Sequence, residues 1–158
     1  MPSDLVAYQY ALVQSSREVV FDFCETFREG DFTKGVTFDG KSISQLYVHI
    51  ANTYHGWIVT IARNARAKRF NENDYDTVQR MRKLFAEVDA IVMDFIGDSQ
   101  PGWSEDIKAK VRNQPFTLTK VKIITHVITH EFHHKGQILM LARNMGYVPP
   151  DTDMIRLS

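Results

Sequence analysis

The sequence predicts an all-α protein built as an up-and-down four-helix bundle. Three observations predict it. Apolar residues recur at steps of three and four through four separate stretches. Each stretch is bounded by a capping residue or by glycine and proline, and no internal repeat, low-complexity tract or convincing β-hairpin interrupts the series.

Leu5, Tyr8, Leu12, Ser16, Val19, Phe23 and Phe27 mark a first helix ending near Gly30, and a loop follows to Gly40. The second helix opens on Ser42, whose spacing to Gln45 is that of a capping box, and runs through Leu46, Ile50, Trp57 and Ile61. Its tail carries Arg63, Arg66, Lys68 and Arg69. Cations are favoured at a helix C-terminus by the backbone dipole, and no aromatic residues interleave these, so they read as a solvated helix end rather than a nucleic-acid patch. After a polar connection from Asn71 to Asp76, the residues Val78, Met81, Phe85, Val88, Val92 and Phe95 form the stripe of a third helix, stopped by Gly97 to Gly102 with Pro101. A stretch without predicted structure crosses to Thr119, which caps the last helix. Gly146, Pro149 and Pro150 end it.

Composition narrows the function classes. The 158 residues, 44% apolar, suit one domain over residues 1–158 with a sizeable core. A formal net charge of zero supplies no field to attract nucleic acid or an anionic membrane. Cys24 is the single cysteine, so no intramolecular disulfide can form, and the chain does not open with a basic segment leading into an apolar run. A reducing cytoplasm is the expected setting. No run of about 18 apolar residues suggests a membrane span.

Chemistry concentrates in the last helix. Four of the six histidines, His126, His130, His133 and His134, fall there within nine positions. Residues four apart share a helix face, so His130 and His134 can present two imidazoles to one point. At about 100° per residue they lie with Ile123, Val127, Ile138, Leu141 and Met145, while His126 and His133 fall toward the polar edge. Two imidazoles in an apolar stripe are costly unless both ring nitrogens are satisfied, which a divalent metal or a pair of core hydrogen bonds could do. A third ligand must come from another helix, since His126 stands a further turn away. His49, beside Leu46, Ile50 and Thr53 on the second helix, is the natural choice, with His55 read as exposed or at the boundary. Three neutral imidazoles without a fourth protein ligand would leave the ion an open position at one end of the bundle, as in catalytic sites.

With those residues in hand, the chain resembles the DinB family of small four-helix-bundle proteins. The likeness is carried by Leu46-Tyr47-Val48-His49-Ile50, by His126-Val127, by His130-Glu131-Phe132-His133-His134-Lys135-Gly136-Gln137, and by Arg143 to Asp153. The resemblance implies metal ligation by His49, His130 and His134, a zinc or nickel ion, and a homodimer. It also implies a low-molecular-weight thiol as co-substrate, because the family includes thiol-dependent S-transferases.

His130-Glu131-Phe132-His133-His134 also satisfies H-E-x-x-H, the metalloprotease pattern in which the glutamate is general base. No histidine or glutamate lies downstream as third ligand, and no strands line a peptide cleft. Glu131 then reads as a solvent-side or outer carboxylate orienting an imidazole. Gly136 could permit close helix approach, Gln137 could bond a metal-bound water or simply pack, Trp57, Met140 and Met145 read as core, and Cys24 reads as a small apolar residue. The expected function is a metal-dependent thiol S-transferase or related isomerase acting on a small-molecule electrophile. A metal-dependent hydrolase and a non-catalytic module binding metal or a stress ligand are the alternatives.

Overall fold

The computed structural model describes residues 2–35, 40–100, 102–111 and 113–156. Four long helices carry the chain: α1 (Pro2–Glu25), α2 (Ile43–His55), α3 (Val78–Asp98) and α4 (Lys120–Asn144). Each start is set by the expected chemistry where a cap is present. Ser42 accepts from the Gln45 amide while the Gln45 side chain accepts from the Ser42 amide, the reciprocal capping box, and Thr77 and Thr119 cap α3 and α4. Gly146, with φ of 91°, turns the chain out of α4. Pro101 itself lies outside the described residues.

Packing joins α1 to α3, α2 to α3 and α2 to α4. All six stripe residues of the third helix are buried. Aromatic edges lock the core, with Phe21 meeting Tyr47 and Phe85, and Phe85 meeting Tyr47. The C-terminal segment returns over α1 and α4, where the Thr152 carbonyl accepts from the Ser16 hydroxyl and from Lys135 Nζ.

Several expectations need correction. In α1 the buried face is Tyr10, Val13, Ser16, Arg17, Val20, Phe21, Phe23 and Cys24, while Leu5 and Tyr8 are 70% and 65% exposed. The helix is rotated from the apolar reading because Arg17 points inward, where it meets carboxylates. The second helix does not stay α-helical: beyond His55 it continues as a π-helix, Gly56–Ala62, a wider winding often found at functional sites.

The crossing segment is also not irregular. It forms a β-hairpin, β1 (Asp106–Val111) paired antiparallel with β2 (Gln114–Thr119) in a register that sets Val111 opposite Gln114. Ile107, Ala109 and Val111 are the less exposed alternate positions of β1, and Asn113 adopts φ of 63° in the turn. Pro115 argues against a central strand, but in a two-stranded sheet every strand is an edge.

Candidate metal centre

Two helices build the centre. On α4, His130 and His134 stand one turn apart, and His49 faces them from α2. The Nε2 atom of His130 lies 3.2 Å from that of His49 and 3.1 Å from that of His134. One ligand atom from each of the three falls within 4.8 Å of the others, so the trio could hold a metal ion. An ion about 2.0–2.1 Å from each nitrogen in tetrahedral array would place its donors about 3.3 Å apart, close to the two short separations found.

The donor chemistry fits as well. Each Nε2 offers one in-plane position, either a proton or a lone pair, so His130 Nε2 cannot make good hydrogen bonds to both neighbours. Gln137 Oε1 accepts from His134 Nδ1 at 2.6 Å, which keeps the proton on Nδ1 and turns the Nε2 lone pair toward the other two rings. Burial, and next His134 and then His49, push the His130 pKa down to about 4. His49 and His134 are likewise lowered, first by burial. Near neutral pH the site is therefore three neutral imidazoles, the form that ligates. His130 Nδ1 is buried with no hydrogen-bond partner among the described residues.

The other histidines stand outside the trio. His126 is exposed and packs edge-on against the half-buried Trp57 at 4.8 Å between ring centroids, and its ring lies 5.9 Å from that of His130. His133 is exposed and meets the Gln137 amide at 3.4 Å. His55, expected to be exposed or at the boundary, is 5% exposed, packed edge-on against Phe70, and neither ring nitrogen has a partner among the described residues. The π-helix starts beside it and the Phe70 segment closes over it, pinned by paired hydrogen bonds between Asn52 and the Phe70 backbone.

Glu131 corrects the sequence reading most. It is 4% exposed, its Oε1 accepts from Arg17 Nε at 2.7 Å, and its Oε2 accepts from Arg17 Nη2 at 3.1 Å and from the Tyr54 hydroxyl at 2.6 Å. It is neither solvent-side nor bonded to an imidazole. Glu131 is buried on α4 along with Ile123, Ile124, Val127, Ile128, Ile138, Leu141 and Ala142, while His130 and His134 are half-buried. An Arg-paired carboxylate can occupy a core, which a reading of apolar periodicity misses.

Gln137 orients His134, a role its spacing of three residues on one helix could have suggested. Gly136 is no close-approach point, since a Cβ there would meet nothing within 4 Å. Met140 is 55% exposed rather than core. Cys24 is buried, with burial pushing its thiol pKa up to about 12, and is unsuited to nucleophilic chemistry. Among the described residues no helix is long and apolar enough to cross a membrane.

Comparison with known proteins agrees with this architecture. YizA of Bacillus subtilis (strain 168), an uncharacterized protein, is 24% identical over 144 residues, covering 88% of this chain and 87% of its own length. The crystal structure of a DinB-like protein from Bacillus subtilis, YjoA, superposes with a TM-score of 0.63 at 18% identity, covering 90% of this chain and 98% of that one. A DinB-like protein from Bacillus cereus ATCC 10987 superposes with a TM-score of 0.66 at 14% identity, covering 93% of each chain. The profile of the DinB family matches residues 1–158, and the chain belongs to that family.

Proposed function

We propose that this DinB-family protein is a metal-dependent thiol S-transferase or related isomerase, with His49, His130 and His134 as the ligands of one divalent ion in an up-and-down four-helix bundle. The observation that carries the reading is the convergence of three neutral imidazole nitrogens without a carboxylate or cysteine among them. Zinc or nickel suits such a donor set. When bound, the ion would stabilise a thiolate over its thiol at an open position, raising the nucleophile available at neutral pH.

The chain's own residues supply the rest. His134 is held in the ligating tautomer by Gln137, and Trp57 with His126 provides an aromatic wall against which the organic part of a co-substrate can lie. Glu131 speaks against the H-E-x-x-H peptidase reading. A general base must be free to take a proton, and this carboxylate already accepts from Arg17 and Tyr54 below the core surface. The partners are a small-molecule thiol and electrophile, in a cytoplasmic homodimer.

The test is turnover by zinc- and nickel-loaded protein of a panel of electrophiles with and without added low-molecular-weight thiols, beside a casein and peptide panel. The proposal expects thiol-dependent product and no peptide cleavage. Thiol-independent cleavage would replace it with a hydrolase, and ligand binding without turnover in either panel would replace it with a binding module.

A further inference from the structure

Beneath the histidines, five polar side chains from all four helices meet in the core. Arg17 of α1 holds Glu131 of α4 through two hydrogen bonds and Asp89 of α3 through Nη1 at 2.8 Å. Tyr10 of α1 donates to Asp89 at 2.6 Å, and Tyr54 of α2 donates to Glu131 at 2.6 Å. Arg17, Tyr10, Tyr54 and Glu131 are all buried. Such a node is expensive to desolvate, and well-packed apolar residues often serve stability as well as a buried ion pair does. Its placement suggests what it contributes.

Tyr54 follows His49 by five residues on α2, and Glu131 is the residue after His130 on α4. The Tyr54–Glu131 bond therefore ties together the two helices that carry the three histidines. Among the described residues, the remaining hydrogen bond between α2 and α4 is the His49–His130 contact inside the site. Apolar packing alone is non-directional, whereas a short hydrogen bond to a carboxylate fixed by Arg17 is not. A slip of one residue would move a helix by about 1.5 Å, and a ligand set needs its members held within about 0.5 Å.

We propose that the Tyr54–Glu131–Arg17 node is a positioning device that sets the register of α2 against α4 and so holds His49 opposite His130 and His134. Its purpose rests on the metal reading above, while the positioning itself can be tested with or without metal. Tyr54 and Arg17 are thus positioning residues, acting through Glu131 on the backbone that presents the imidazoles.

The test compares Tyr54→Phe, which removes one hydroxyl, with Val92→Ala, a core truncation on α3 outside the node. Zinc affinity is read by competition with a chromophoric chelator and thermal stability is measured on the same samples. Tyr54→Phe should raise the zinc Kd about tenfold or more, as loss of a ligand-orienting contact does, while Val92→Ala should lower the melting temperature and leave the Kd unchanged. Glu131→Gln, which keeps the volume and one acceptor oxygen, is the second variant and should weaken zinc in the same direction. A Tyr54→Phe protein that loses stability but keeps the wild-type Kd overturns the proposal, as does an equal rise in Kd for Val92→Ala. Should the wild type bind neither zinc nor nickel, the metal reading fails and metal-free crystal structures decide the positioning. Separation of His49 Nε2 from His130 Nε2 beyond about 3.5 Å in Tyr54→Phe supports it, and unchanged spacing overturns it.

Discussion

His134 donates from Nδ1 to Gln137 Oε1 at 2.6 Å, one turn along the same helix, and this bond decides which ring nitrogen faces His49 and His130. Gln137 is exposed, so its side chain contributes little to the core. Gln137→Ala should accordingly weaken divalent metal binding by about 10–100-fold while leaving the melting temperature near that of wild type. Chelator competition on purified variants checks this, and an unchanged Kd would show that His134 needs no such partner.

The Arg17–Glu131 pair is buried on both sides, with side-chain exposures of 2% and 5%. Arg17→Met should destabilise the protein by about 3–5 kcal/mol, because it leaves Glu131 in the core without its cation. The double variant Arg17→Met with Glu131→Leu should recover part of that loss, since the buried charge of Glu131 is gone, while Asp89 keeps only Tyr10 and the Tyr54 hydroxyl loses its acceptor. Urea unfolding of both variants measures the difference, and equal destabilisation of single and double variants would contradict a burden carried by charge.

His55 gives a pH dependence of stability that is separate from the metal. Burial lowers its pKa in the folded protein below the usual value, with Glu87 opposing that shift and Lys68 adding to it. Below about pH 6.5 the unfolded chain binds a proton that the folded chain resists. The neutral ring therefore contributes full stability above pH 6.5 and loses it as pH falls toward the lowered value. Metal-free protein should unfold at lower urea concentration at pH 5 than at pH 7, and His55→Leu should flatten that slope. A slope unaltered by His55→Leu would assign the dependence to other groups.

Gly136 sits within α4 with open space where a Cβ would point. Gly136→Ala should raise stability by about 0.5–1 kcal/mol by restricting the unfolded chain, with metal content unchanged. Denaturant midpoints check it, and a loss of stability would indicate a steric role for the glycine.

The convergence of the three histidines is legible because its spacing is local: His130 and His134 share a face by periodicity alone, and His49 stands on the neighbouring helix that faces them. The four helices were legible from capping and apolar steps, and the Ser42–Gln45 box formed as expected. The buried polar node was not. Arg17, Asp89 and Glu131 each look like surface residues until their partners arrive from other helices, and pairing across 72 or 114 positions leaves no periodic trace. The same omission rotated the first helix and placed Leu5 and Tyr8 inward when they are exposed.

The central claim, that His49, His130 and His134 together hold one divalent ion, is tested most directly by metal content. Wild type, His134→Ala and His126→Ala are loaded with zinc or nickel, dialysed, and measured by inductively coupled plasma mass spectrometry against protein concentration. The account predicts about one ion per chain in wild type and in His126→Ala, and almost none in His134→Ala. Full metal content in His134→Ala would contradict it.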